Sequence, residues 1–289
     1  MSMIHYTSKI VIRINYIYRK RGSILPRFAS IASGSSGNSI YFGSDNTHIL
    51  IDAGISNKRI EEGLKNLGLK VSDLSGVFIT HEHSDHIQGL KTLTKKYQIP
   101  IYATKGTLDY IKKKKIIEGY EGLCNIIAAD TEFSVADINA KVFKISHDAS
   151  EPVGFRLSAA GKSVAVATDM GVYDEYIVDN LQDLDAIMLE ANHDIRMLEV
   201  GPYPYHLKRR ILGNKGHLCN ENAGKLLARI LHDKIKHIFL GHLSKENNYP
   251  SLAYETVKVE IDEADVEYRG SDFRIDVAKR DAISEVVLL

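Results

Sequence analysis

The sequence predicts one α/β domain with sheet at its centre and helices outside. Three observations carry this expectation. Short β-branched runs recur from about residue 27, amphipathic helical runs fall between them, and no low-complexity linker or internal repeat divides the chain. At 289 residues the chain can bury the core of one large domain or two small ones, and the missing linker favours one.

The first 26 residues read differently. Lys9 to Tyr18 is apolar and β-branched, but Arg13 and Asn15 interrupt it and Arg19, Lys20 and Arg21 follow. A signal peptide keeps its apolar segment free of charge. The expected organisation is therefore an N-terminal extension over 1–26, either ill-ordered or an extra edge strand, ahead of a domain over 27–289.

Strand-like runs then end, one after another, in a polar residue. His48 to Ile51 runs into Asp52, and Val77 to Ile79 into Thr80 and His81. Ala140 to Ile145 leads to His147, and Ser163 to Ala167 to Asp169. Ala186 to Leu189 reaches Glu190 and His193, and His237 to Leu240 reaches Gly241 and His242. Helices are expected over Asn57 to Leu67 (Ser56 as N-cap, Gly68 as stop), His86 to Tyr97, Thr107 to Ile117, Glu221 to Leu231, and Ser251 to Val257 behind Pro250. Polar groups shown just past strand ends are what a site at a sheet edge requires.

Composition narrows the function classes. Lys plus Arg equals Asp plus Glu at 37 each, so contact with nucleic acid would need a local basic face. Two cysteines, Cys124 and Cys219, are too few for a disulfide framework and fit a reducing compartment. No apolar run approaches the roughly 18–20 residues that cross a bilayer. The expected location is the cytoplasm, with no membrane contact.

The stretch Thr80-His81-Glu82-His83-Ser84-Asp85-His86 places four potential ligands in the six residues from His81 to His86, as His-x-His-x-Asp-His. Imidazole and carboxylate suit zinc and similar divalent ions. His81 and His83 share a side by the period of two, whereas Asp85 and His86 lie past the bend and aim elsewhere, which points to two metal positions. His147, Asp169 and His242 are the natural further ligands. Hydrolytic metal pairs sit about 3.5–4 Å apart and a carboxylate commonly bridges them, a role that suits Asp169. Glu82, inside the cluster, either orients a histidine or stays exposed.

THEHSDH with these partners resembles the metallo-β-lactamase superfamily. The ordered blocks ASGSSGNS (Ala32 to Ser39), LIDAGIS (Leu50 to Ser56), HDASEPVGF (His147 to Phe155), LEANHD (Leu189 to Asp194), GHLCNENA (Gly216 to Ala223) and LGHLSKENN (Leu240 to Asn248) resemble its YycJ/WalJ/VicX branch, over roughly residues 27 to 280. The resemblance implies a four-layer αβ/βα sandwich with a dinuclear metal site at one sheet edge. It implies His81, His83 and His147 on one ion, Asp85, His86 and His242 on the other, Asp169 between them, and Asp52 orienting a ligand histidine from behind. The cofactor would be two divalent ions, zinc or manganese, with iron also accommodated. Cys219 departs from the serine usual in such sequences, and residues 1–26 have no counterpart there.

The activity so implied is a metal-dependent phosphodiesterase, a 5′-to-3′ exonuclease acting on DNA with a 5′ end through a metal-bridged hydroxide. Asp85, His193 and His217 are the candidate catalytic residues; His193 and His217 compete for protonation of the leaving oxygen. The Ser/Gly loop offers backbone N–H groups and hydroxyls for a phosphate, with Ser35, Ser36 and Asn38 as candidate contacts. In the Gly201 to Lys215 segment, Tyr203 and Tyr205 could stack on bases while Lys208, Arg209 and Arg210 meet phosphates. Lys112 to Lys115 reads as a solvated helix face. The rival readings are a thioester or lactone hydrolase on the same fold and a regulatory protein with a structural metal site.

Overall fold

The computed structural model describes residues 25–289. In chain order the elements are β1 (Arg27–Ala32), β2 (Ser39–Gly43), β3 (His48–Ile51), α1 (Asn57–Asn66), β4 (Gly76–Phe78), α2 (Ser84–Ile87), α3 (Leu90–Tyr97), β5 (Ile101–Thr104), α4 (Lys105–Lys113), β6 (Cys124–Ile127), β7 (Glu132–Val135), β8 (Ile138–Lys144), β9 (Val153–Ala159) and β10 (Lys162–Ala167). They continue as α5 (Glu175–Asn180), β11 (Ala186–Glu190), α6 (Ile195–Val200), α7 (Tyr205–Leu212), α8 (Asn220–Ile230), β12 (His237–Gly241), α9 (Pro250–Glu263), β13 (Ile275–Val277) and β14 (Val287–Leu288). The expected extension lies outside the described residues except for Leu25 and Pro26, and the Pro26 carbonyl accepts from Leu289 N at 3.0 Å.

Side-chain alternation builds the layers. Along β10, Val164 and Val166 enter one apolar cluster while Ala165 and Ala167 enter another. Ile49 and Ile51 of β3 share the first of these clusters, and Leu50 turns to a third. One seven-stranded sheet has the order β14-β1-β2-β3-β4-β5-β6 and the other β13-β12-β11-β10-β9-β8-β7. The cluster between them joins Phe28 to Phe239 (ring centroids 5.9 Å apart) and Phe78 to Phe155 (5.4 Å). Helices α1, α3 and α4 pack on the outer face of the first sheet, and α5, α8 and α9 on that of the second. The result is the expected αβ/βα sandwich. Each fully buried Phe or Leu in these layers contributes about 1.5–3 kcal/mol.

Strand direction gathers the site. β10, β11 and β12 are parallel neighbours, as are β3 and β4, and β8 runs the same way as β10 because both are antiparallel to β9. The carboxyl ends of β8, β10, β11 and β12 therefore fall along one edge.

Several local expectations change. The helix expected over His86 to Tyr97 is two pieces, α2 and α3, separated at Gly89. Gly89 N donates to the Ala53 carbonyl at 2.8 Å, and a Cβ there would lie 2.2 Å from the Ile55 carbonyl oxygen, so the chain is pressed against the segment after β3. Ser56 caps α1 through its carbonyl, which accepts from Arg59 N and Ile60 N, and not through its side chain. The helix behind Pro250 runs on to Glu263, and the one expected from Thr107 starts at Lys105 and ends at Lys113. Lys112 to Lys115 are exposed, as a solvated face requires. Among the described residues no helix is long and apolar enough to cross a membrane.

Candidate metal centre

Three site residues adopt left-handed backbone at the ends of their strands: Asp52 (φ 62°), Asp169 (φ 60°) and His242 (φ 54°). Such positions cost about 1–3 kcal/mol each and persist where surrounding bonds hold them. Asp52 N donates to Phe78 O at 2.8 Å, and His242 N to Ser33 Oγ at 2.8 Å. The sharp turn aims each side chain back over the sheet edge.

Hydrogen-bond chemistry then sets the ring nitrogens. A carboxylate or carbonyl only accepts, so a ring nitrogen facing one must carry the proton. His86 Nδ1 donates to Asp52 Oδ2 (2.7 Å), His242 Nδ1 to Glu190 Oε1 (3.0 Å) and His147 Nδ1 to Gly216 O (3.0 Å). Thr80 Oγ1 gives its proton to Asp52 Oδ2 at 2.9 Å, so it accepts from His81 Nδ1 at 3.0 Å. All four histidines turn Nε2 inward; on His81 and His147 it is left as a lone pair, while on His86 and His242 it faces Asp85 and Asp169. His83 turns its Nδ1 to His147 Nε2 at 3.2 Å.

These atoms fall into two sets. His81, His83 and His147 form one, and Asp85, His86 and His242 the other, with the candidate ligand atoms in each within 4.8 Å of one another. Asp169 lies between: Oδ2 is 3.2 Å from His86 Nε2, while Oδ1 is 3.4 Å from His242 Nε2 and 3.7 Å from His147 Nε2. His81 Nε2 and Asp169 Oδ2 are buried without a hydrogen-bond partner among the described residues. Asp52, Asp169 and Glu190 are at most 1% exposed. Removing ionised carboxylates from water costs several kcal/mol each unless cations compensate. Orphaned acceptors, inward ring nitrogens and gathered negative charge all fit a pair of divalent ions.

The protonation pattern without metal says the same. Burial opposes charge on His86, but Asp169, Asp52 and Asp85 together hold its pKa well above the usual histidine value. His242, against its own burial, is pushed up to about 10 by Asp169, Asp85 and Glu190. Asp85 and Asp169 are held low despite burial, Asp85 chiefly by His86 and Asp169 by His242 and His86. Glu190, opposed by burial and helped by His217, falls to about 2. Burial alone dominates His81 and His147, both lowered. Divalent ions bound there would take the place of the protons on His86 and His242.

The remaining candidates divide. A cavity of about 210 Å³ opens over the two sets, walled among others by Ser35, Asn192, Tyr203, Arg210 and His217. His217 donates from Nδ1 to Glu190 Oε1 at 2.8 Å and stacks on His242, ring centroids 5.3 Å apart. His193 is off the wall. It is buried among Asn192 and the start of α8, and its carbonyl accepts from Asn220 N at 3.0 Å. Of the two histidines expected to compete for proton transfer, only His217 lines the cavity.

Asn38 is buried and does not line the cavity. Its Oδ1 accepts from Gly34 N (2.9 Å) and its Nδ2 donates to Gly34 O (3.2 Å) and lies 3.2 Å from His86 Nε2, so it ties the loop to the second ligand set. Ser35 lines the cavity and Ser36 is exposed beside it. Within α7 the helical period turns Leu207, Arg210 and Ile211 to the cavity, leaving Lys208 and Arg209 off its wall. Lys208 Nζ instead donates to Glu199 O at 2.7 Å, and Arg209 lies 6.0 Å from the Tyr205 ring. Arg210 pairs with Asp148, with Nη2 to Oδ1 at 2.9 Å.

Glu82 is buried and accepts from Ser150 N (2.7 Å) and Ser150 Oγ (2.6 Å), tying the histidine cluster to the loop after His147. Cys219 lies outside the ligand sets, at the N-cap of α8, and burial pushes its thiol up to about 11, which disfavours a soft-ligand role. Glu190 is the functional side chain that sequence reasoning left unassigned. Besides holding two histidines it accepts from Met170 N (2.8 Å) and Leu218 N (3.1 Å) through Oε2. Its signal was its place at the end of an apolar strand, the same signal that marked Asp52.

Comparison with known proteins gives the family and the fold. The sequence model of the β-lactamase superfamily domain matches residues 47–242. The chain is 38% identical over 244 residues to the exodeoxyribonuclease YycJ of Bacillus anthracis, covering 82% of this chain and 89% of that protein. It is 37% identical over 250 residues to the exodeoxyribonuclease WalJ of Streptococcus pneumoniae serotype 2, covering 86% and 93%. In structure it is similar to the metallo-β-lactamase fold protein YhfI of Bacillus subtilis, with a TM-score of 0.64 and 14% identity over 91% of this chain and 99% of the other. This chain belongs to the β-lactamase superfamily and, within it, to the family of the YycJ and WalJ proteins.

Proposed function

We propose that this protein is a metal-dependent exodeoxyribonuclease that removes nucleotides from the 5′ end of DNA in the cytoplasm. The observation that carries the reading is the placement of Asp169 between two histidine-rich sets, joined to the likeness to relatives named exodeoxyribonucleases. His81, His83 and His147 would hold one divalent ion and Asp85, His86 and His242 the other, with Asp169 shared; zinc, manganese and iron all suit these donors. When bound, such a pair polarises a phosphoryl oxygen and makes water a nucleophile at neutral pH.

The chain's own residues do the rest. Asp52 and Glu190 orient His86 and His242 through Nδ1, so each ring presents Nε2. His217 is held at Nδ1 by Glu190 and reaches the cavity; as the imidazolium it would give its Nε2 proton to the leaving oxygen. Ser35, Tyr203 and Arg210 on the wall receive the strand.

The test is metal-loaded protein given 5′-phosphorylated linear DNA and, separately, a thioester. Stepwise release of mononucleotides from the 5′ end, abolished by a chelator, is expected. Thioester turnover with no nucleotide release would contradict the proposal.

A further inference from the structure

The turn after β13 carries a cation to the Ser/Gly loop. Ser33 N donates to Lys279 O (3.1 Å), Ser284 N to Ser30 O (2.8 Å) and Lys279 N to Ser284 Oγ (2.9 Å), so the turn is laced to β1 and its extension. From α1, Arg59 donates to the Arg280 carbonyl at 2.7 Å and pairs with Asp281 at 3.4 Å. With its backbone fixed on both sides, Arg280 lays its guanidinium over the loop. Nη2 donates to Leu243 O at 2.6 Å, while Nη1 reaches Ser36 Oγ at 3.3 Å and Ser35 Oγ at 3.4 Å. Gly34 leaves the room for this: a Cβ there would lie 2.6 Å from Nη1.

Two features separate Arg280 from an ordinary structural arginine. Its contacts to the serines are long and go to hydroxyls, which can rotate to face a ligand. Among the described residues no carboxylate lies within 4.0 Å of its guanidinium, whereas Asp148 neutralises Arg210 on the cavity wall. A half-buried guanidinium without an acidic partner among the described residues, beside Ser35 on the cavity wall and the exposed Ser36, matches the fork geometry and charge of a phosphate.

We propose that Arg280, with the hydroxyls of Ser35 and Ser36, binds a phosphate of the nucleic-acid strand next to the one being cleaved. Ser35 stands at the cavity wall and Ser36 outside it, so this phosphate lies beyond the ligand sets. The segment after β13 thereby completes the substrate site. The inference rests on the exonuclease reading above.

The experiment measures KM and kcat of the full-length, metal-loaded protein on a 5′-phosphorylated single-stranded oligonucleotide over a range of salt concentrations. Arg280→Ala should raise KM about tenfold, as loss of a charged hydrogen bond does, with the loss falling on KM and not kcat. It should also flatten the slope of log KM against log salt by about 0.7, the share of one phosphate on a single strand. Arg280→Lys, which keeps the charge, should restore most of that slope. A wild-type KM in Arg280→Ala overturns the inference. So does a fall in kcat with an unchanged salt slope, which would mark Arg280 as a prop for Leu243 and the loop. Absence of nucleotide release by the wild-type protein would instead overturn the reading beneath it.

Discussion

Asp52, past the end of β3 in one sheet, and Glu190, at the end of β11 in the other, both hold a histidine of the cluster by its Nδ1–H, His86 at 2.7 Å and His242 at 3.0 Å. Asp52 spends its remaining capacity on Thr80, from N and from Oγ1 at 2.9 Å each. That side is closed: carboxylate, threonine, and the histidines His81 and His86. Glu190 divides differently. One oxygen takes two backbone N–H groups, while the other serves both His242, inside a ligand set, and His217, which faces the cavity. The first sheet's carboxylate does positioning alone. The second sheet's carboxylate links a ligand-set histidine to the one on the cavity wall, and in the proposed mechanism that couples positioning to proton transfer.

The largest effect should come where the two sides meet. Asp169→Ala removes the carboxylate between the sets and should lower nucleotide release by about 10³-fold or more, given the several kcal/mol such centres contribute to the transition state. Metal analysis should show both ions weakened. Retention of one tightly held ion would break the symmetry drawn here.

Next come the two carboxylates themselves, each worth about 10–100-fold in metal affinity or activity. An amide in place of either carboxylate can turn a donor toward the Nδ1–H it should accept. Asp52→Asn should regain activity when metal is added in excess. Glu190→Gln should remain slow at saturating metal, since His217 loses its anchor as well. Equal rescue of both variants would remove the distinction between them.

His193 sharpens the contrast with His217, which lies close by. Burial pushes His193 down from 6.5 to about 4. Its folded pKa lies below its unfolded one, so its contribution to stability is complete above pH 6.5 and is lost as pH falls toward 4, by at most about 3 kcal/mol. In metal-free protein, His193→Gln should lose that much less stability than wild type between these limits, read by denaturant midpoint. Parallel acid curves would place His193 in contact with solvent. The smallest effects belong to α7: Arg210→Ala should raise KM severalfold, while Lys208→Ala and Arg209→Ala leave it near wild type.

The line of ligands was legible because six apolar runs each stop at Asp, His or Glu, and parallel strands carry such stops to one edge. Other parts depend on contacts that spacing does not encode. Gly201 to Lys215 reads as a basic loop, yet residues Tyr205–Leu212 are helical, and that period turns Arg210 inward while leaving Lys208 and Arg209 off the cavity wall. Asn38 sits in a loop suited to phosphate, but its amide is turned to Gly34 and to the His86 ring. Glu190 acquires its two roles from histidines 27 and 52 positions away, and Arg280 meets Ser35 across 245 positions. Only the fold brings those pairs together.

The central claim is that two divalent ions share Asp169 and act together on a phosphodiester. Titrating metal-free protein with manganese or zinc, while following both bound metal and mononucleotide release from 5′-phosphorylated DNA, tests it directly. Full activity should be reached only at two ions per chain. Full activity at one ion per chain, with no further binding, would contradict the account.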